Sequence, residues 1–253
     1  MRALVVLAHP EPRSFNGQMK EVAVATLEDQ GYGVEVSDLY AIGFDPLEGP
    51  RHYQNPKEPA RFSAQTEQRH AWDTGSLSAD VRAEIDKLER ADLVLFQFPM
   101  WWYSMPAMLK GWLDRVLVYG GLYTSKIRYD KGYFVGRRAM VSVTTGGPEP
   151  TFAHNGRNGD VELLLWPINF TLHYMGYTVL PPFVAFGVEG ELRYTDPERV
   201  SARLQGYKAA LRARLEALER TEPLAFNGWR DWDQDGRLRP GVPGHSLFMR
   251  ATP

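Results

Sequence analysis

The chain has 253 residues, of which 43% are hydrophobic and 24% charged. That is enough for one large domain with a sizeable core. A formal net charge of −2 gives no general attraction for nucleic acid or another polyanion, and the absence of cysteine excludes disulfides, thiolate catalysis, iron–sulfur clusters and Cys-ligated zinc.

Residues 3–8 (Ala-Leu-Val-Val-Leu-Ala) are wholly apolar, as in a strand covered on both faces. The run is too short for a secretory segment or a membrane span, and no later segment is long enough either. The chain therefore reads as cytoplasmic and not inserted in a membrane. Arg13-Ser14-Phe15-Asn16 leads into a helical pattern through Met19, Val22, Ala23, Thr26 and Leu27, stopped by Gly31. A second strand starts at Val34-Glu35-Val36, which completes the β-loop-α-turn-β unit of a parallel sheet.

Residues 43–78 break this rhythm, with Pro46, Pro50, Pro56 and Pro59 and little apolar periodicity. A long segment of this kind is a binding loop or a linker, and Phe44, Tyr53, Phe62 and Trp72 favour a packed loop. The spacing then predicts a helix at 79–90, a central strand at 91–99, a helix from Met105 to Val118 and a strand at 138–144. A helix at 160–175, a strand at 177–186 and an amphipathic helix at 196–219 complete the series. Five strands separated by helices make a doubly wound α/β domain over residues 1–220, followed by a Pro/Gly/Trp-rich extension over 221–253 packed on the domain or a partner subunit.

Ligands of such sheets bind outside the carboxyl ends of the strands, which directs attention to three loops. In the first, His9 to Asn16, Ser14 can cap a helix whose N-terminus favours phosphate, although a plain helix start fits equally well. In the second, Trp101, Trp102 and Tyr103 stand between Pro99-Met100 and Pro106. Such a flat aromatic platform suits an isoalloxazine ring, but it also suits a core or a subunit interface. In the third, Thr144-Thr145-Gly146-Gly147 lets backbone approach a planar ligand closely. Together the three loops point to a cofactor site. Asp231 to Gly236 begins like a calcium loop but has Val242 where the bidentate glutamate belongs, and the histidines show no metal-binding spacing.

The segments His9…Ser14-Phe15-Asn16, Ser37-Asp38-Leu39-Tyr40, Phe96-Gln97-Phe98-Pro99, Leu109-Lys110-Gly111-Trp112, Thr144-Thr145-Gly146-Gly147 and Leu165-Trp166-Pro167-Ile168 resemble the NAD(P)H:quinone oxidoreductase (DT-diaphorase) family in order and spacing across about residues 2–220. The resemblance implies a flavodoxin-like fold and a homodimer with FAD at the subunit interface. It also implies ping-pong transfer of hydride from NAD(P)H to a quinone. On this basis His9, Ser14, Phe15 and Asn16 would hold the pyrophosphate and ribityl part of FAD. Pro99, Met100, Trp101, Trp102 and Thr144 to Gly147 would line the flavin ring. Gly146 and Gly147 would floor the acceptor pocket, Trp102 and Tyr103 would form its wall, and Tyr123 and Tyr174 would close it from the partner subunit. Gln65 and Arg199 would reach the adenine end. The 43–78 segment would cover the adenosine, which favours FAD over FMN. One departure stands out: Phe152 and Asn158 occupy the positions where the family carries a tyrosine and a histidine that stabilise charge on the reduced flavin. The resemblance also leaves open azo, nitro or chromate acceptors, and a flavoprotein regulatory subunit of a potassium efflux system.

Overall fold

A computed structural model of the chain describes residues 1–189, 196–246 and 248–249. Strand β1 (Arg2–Leu7), helix α1 (Phe15–Asp29) and strand β2 (Gly33–Asp38) form the first unit. Next come α2 (Ala64–Thr74), α3 (Ala79–Arg90), β3 (Leu93–Pro99), α4 (Ala107–Val116) and β4 (Arg138–Thr144). The series closes with α5 (Val161–Tyr174), β5 (Thr178–Val179), β6 (Phe183–Ala185) and α6 (Pro197–Glu216). The strands run β2-β1-β3-β4-β5, with β6 also on β4, and every pairing is parallel.

Alternation along the strands sends successive side chains to opposite faces. Val5, Leu93, Leu95 and Met140 face a layer made by Met19, Ala23 and Leu27 of α1 with Leu211 and Leu215 of α6. Leu4, Val6, Phe96, Phe98 and Val141 face the layer of α3, α4 and α5, through Ile85, Trp112 and Ile168 among others. Both faces are covered, so the central strands are apolar throughout. The chain reverses its winding between β1 and β3, and the carboxyl ends of these two strands open the crevice where ligands bind in such sheets.

Two sequence expectations need correction. The 43–78 segment is packed, as expected, but it contains the eleven-residue helix α2 and a short 3-10 turn at Pro50–His52. The buried face of α2 is Glu67, Gln68 and Ala71, so its anchors are polar and leave no apolar period to read. The Glu67 carboxylate accepts from the backbone N–H groups of Lys57 and Glu58 at 2.8 and 3.0 Å. Gly75 ends the helix in the left-handed region at φ 66°, where its missing Cβ avoids strain. Buried Arg115 ties the start of the segment to α3, donating to the Asp45 carbonyl (2.7 Å), to Asp80 (2.6 Å) and to Ser78 (3.1 Å). The strand expected at 177–186 is two short strands, β5 and β6, separated by Pro181 and Pro182, which have no N–H to continue a ladder.

The segment after Thr221 packs on the same chain. Leu224 N–H donates to the Val179 carbonyl at 2.8 Å, and Phe226 stacks on His173 with ring centroids 4.4 Å apart. The Trp229 indole donates to the Arg128 carbonyl at 3.0 Å. Residues 247 and 250–253 of this extension lie outside the described residues.

Candidate functional site

The three loops converge because the strands that carry them are adjacent. Trp101 and Ser104 exchange backbone hydrogen bonds at 2.9 and 3.0 Å, closing a two-residue turn over Trp102 and Tyr103. Both turn residues have left-handed backbones, φ 50° and 61°. Turns of this kind normally take Asn-Gly, and the left-handed region costs a bulky L-residue about 1–2 kcal/mol. The turn also holds its rings in solvent: Trp101 is 41%, Trp102 95% and Tyr103 51% exposed. Strain and exposure together in an aromatic turn mark a functional surface rather than a core. The Trp101 ring lies 6.0 Å from that of His9, and His9 Nδ1 accepts from the Glu11 N–H at 3.1 Å.

Below the surface the loops are fastened together. The Asn16 amide donates to the Thr144 hydroxyl at 3.0 Å and accepts from the Gln97 amide at 2.8 Å. All three side chains are buried. They lie on the first turn of α1, the end of β4 and the middle of β3, so one small polar network sets the spacing of all three loops. Gln97 is a member of this network that the sequence reading did not select. Its signal was a lone amide inside an otherwise apolar strand. Its Oε1 atom and the buried Ser142 hydroxyl have no partner among the described residues.

Ser14 caps α1 through its hydroxyl, which accepts from Gly17 N–H at 3.2 Å. The N–H groups of Phe15 and Asn16 at the same helix start, and those of Trp102, Tyr103, Gly146 and Gly147, have no acceptor among the described residues. Arg13 sits beside them, exposed and paired with Glu11 at 3.0 Å. The hydrogen bond from Arg13 holds the Glu11 carboxyl below its ordinary range.

The glycine loop is braced from below. A Cβ on Gly147 would lie 3.0–3.1 Å from Asn158 Nδ2, Phe152 and Thr151 Oγ1, so a side chain here would push these neighbours back by a few tenths of an ångström. Asn158 donates to Thr151 Oγ1 at 2.8 Å, and Phe152 is buried against Phe186. Pro99 is buried and Met100 partly so, and Met100 N–H donates to the Thr144 carbonyl at 2.8 Å. Thr145 is buried with its hydroxyl on the Gly147 carbonyl, 2.9 Å away.

A second group of site residues lines a groove of about 640 Å³ between α2, α4 and α5. It contains Gln65, Ser104, Met105, Tyr123, Phe170 and Tyr174. The Tyr123 and Tyr174 rings meet edge to face at 5.8 Å. Burial raises the Tyr123 phenol above its ordinary range. Arg199 is exposed in the first turn of α6, in the opposite helical layer.

A model of the flavodoxin-like fold matches residues 1–215. NAD(P)H dehydrogenase [quinone] 1 of Cavia porcellus is 42% identical over 227 residues, covering 89% of this chain and 80% of that protein. This chain belongs to the NAD(P)H:quinone oxidoreductase family. Within that family it is also similar to the human ribosyldihydronicotinamide dehydrogenase [quinone], at 40% identity over 88% of this chain and 94% of that protein. Among solved structures, a Klebsiella pneumoniae protein assigned provisionally as a quinone reductase superposes with a TM-score of 0.86. It is 38% identical and the match covers 96% of this chain and 97% of that one.

Proposed function

We propose that this quinone oxidoreductase family member is a two-electron reductase that carries FAD, works as a homodimer and reduces quinones at the expense of NAD(P)H. The observation that carries this reading is the exposed Trp101-Trp102-Tyr103 turn, held in a strained backbone beside unused N–H donors. These residues fit a flavin: the rings offer it a flat apolar face, and the N–H groups of Trp102, Tyr103, Gly146 and Gly147 suit the hydrogen-bond acceptors along its edge. The free N–H groups at the start of α1, with Arg13 nearby, suit a pyrophosphate. A flavin held by these residues would supply two-electron chemistry between NAD(P)H and the quinone, in two half-reactions separated by departure of NAD(P)⁺.

The protein's own contribution is positioning and exclusion of water. Gly147 keeps the floor open, and Phe152 and Asn158 support it from beneath. Phe152 has no proton to give, and the Asn158 amide is engaged by Thr151. The proton that accompanies hydride on its way to hydroquinone therefore does not come from a residue at these positions. Trp102 finds no cover among the described residues, which favours a second copy supplying the far wall through Tyr123 and Tyr174. The 43–78 segment favours FAD over FMN through the family resemblance, which implies that this segment covers the adenosine. It also counts against a role as a transporter's regulatory subunit, since relatives of that kind usually lack it.

Flavin released from the denatured protein and identified chromatographically tests the cofactor. FAD supports this reading, FMN would remove the adenosine role of the 43–78 segment, and no flavin after reconstitution would overturn the proposal.

A further inference from the structure

Helix α2 lies against the 119–123 segment along almost its whole length. Buried Gln68 bridges three elements. Its Oε1 accepts from Tyr119 N–H at 2.9 Å, and its Nε2 donates to the Asp114 carbonyl and to Glu48 Oε2, both at 3.0 Å. One residue on, the Arg69 guanidinium lies 4.8 Å from the centre of the Tyr119 ring. Its aliphatic stem presses on Gly120, whose φ is 91° and where a Cβ would lie 2.9 Å from the Arg69 side chain. One turn further along the helix, Trp72 covers Gly121 so closely that a Cβ there would lie 2.2 Å from the indole. One turn earlier, Gln65 lines the same groove as Tyr123. The segment itself is a closed turn, since Gly120 N–H donates to the Tyr123 carbonyl at 2.8 Å and the Tyr119 and Tyr123 rings meet at 5.4 Å.

Tyr119, Gly120 and Gly121 are thus each met by a residue of α2. Two consecutive glycines let the helix approach so closely, and Gln68, a buried polar anchor of α2, is spent on this turn rather than on the core. We propose that α2 is the positioning element of the acceptor pocket: Gln68 and Arg69 fix the Tyr119–Tyr123 turn, and with it the Tyr123 ring that meets Tyr174. This rests on the reading above that Tyr123 walls the acceptor site. It adds that the 43–78 segment, expected to serve the nucleotide end of the cofactor, also sets the width of the acceptor groove. Gln68 and Arg69 then act on acceptor selection through Tyr123 and do not touch the reacting atoms.

The test uses the full-length flavin-loaded protein with Gln68→Ala, Arg69→Ala, Tyr123→Ala and the double variant Gln68→Ala/Tyr123→Ala. The acceptor KM should rise about five-fold or more in Gln68→Ala, which loses the bonds to Tyr119, Asp114 and Glu48, since loss of one neutral hydrogen bond alone gives about five-fold. It should rise about two- to five-fold in Arg69→Ala, the size of an exposed cation–π contact. The rate of flavin reduction by NAD(P)H should stay the same. The double variant should show no more than the Tyr123→Ala effect, because the glutamine acts through the tyrosine. Hydrogen exchange at the Tyr119 amide should accelerate in Gln68→Ala whether or not an acceptor is present. If Gln68→Ala does not fold, Arg69→Ala still decides, since its side chain is at the surface. A raised KM in Tyr123→Ala with unchanged KM in Gln68→Ala and Arg69→Ala, or full additivity in the double variant, would overturn the role of α2 and leave Tyr123 in the pocket. An unchanged KM in Tyr123→Ala would overturn the pocket wall, and the role of α2 with it.

Discussion

The Asn16 amide and the Thr144 hydroxyl, 128 positions apart in sequence, lie 3.0 Å from each other in the interior. This contact and the Gln97 amide beneath it join three loops that carry no chemistry separately. Replacing Asn16 with leucine keeps the volume but leaves the Thr144 hydroxyl and the Gln97 amide buried without partners. An unsatisfied buried group costs about 1–3 kcal/mol, so Asn16→Leu should lower unfolding stability by about 2–4 kcal/mol in denaturant titration and weaken flavin retention. Unchanged stability would mean that the network does not hold the loops together.

Trp102 gives the opposite expectation. With 95% of its surface exposed, Trp102→Ala should change stability by no more than about 0.5 kcal/mol, as surface substitutions do. Acceptor turnover should nevertheless fall. An unfolded variant would show instead that the ring is a packing residue.

The side chain of Asn158 is fixed by Thr151 and Phe152 is buried beneath Gly147. The reductive half-reaction, measured by stopped flow, should therefore run flat through the ordinary histidine range of about pH 6–7. A bend in that range would require a titrating group in the site that these two positions do not supply. Asn158→His should introduce such a bend if the imidazole reaches the site as the family's histidine does.

His173 is half-buried, stacked on Phe226, and its Nε2 lies 3.2 Å from the Asn227 carbonyl. Burial lowers its basicity below the ordinary value of 6.5, although the carbonyl opposes the shift. The unfolded chain therefore takes up this proton at a higher pH than the folded one. The resulting stability is present above about pH 6.5 and is lost as the pH falls toward the lowered folded value. Thermal unfolding of His173→Phe, which keeps the stack, should lose less stability than the parent on acidification below pH 6.5. Identical pH dependence would remove His173 from the acid response.

Much of this architecture was legible in the sequence because burial on both faces writes an unambiguous signal. Residues 3–8 and 91–99 could be read as strands without knowing their neighbours, and the loops at their ends followed. Helix α2 was not legible, because Glu67 and Gln68 anchor it by satisfying backbone groups of other segments, a function with no hydrophobic period. Pro181 and Pro182 were visible, but their consequence, one strand divided into two, depends on which backbone N–H groups the ladder with β4 would have used. The three loops of the candidate site were readable as loops. The buried contact between Asn16 and Thr144 that sets their spacing was not, because nothing local to either residue names the other.

The most direct experiment is an anaerobic titration of the flavin-loaded protein, followed by its absorption bands. NADH or NADPH is added first and a benzoquinone second. Bands that bleach with a dihydronicotinamide and return in full with one equivalent of quinone are the expected result, and they would also name the donor. Bound flavin that neither nucleotide bleaches, while dithionite does, would contradict the reductase and show that Phe152 and Asn158 have cost the site its hydride uptake.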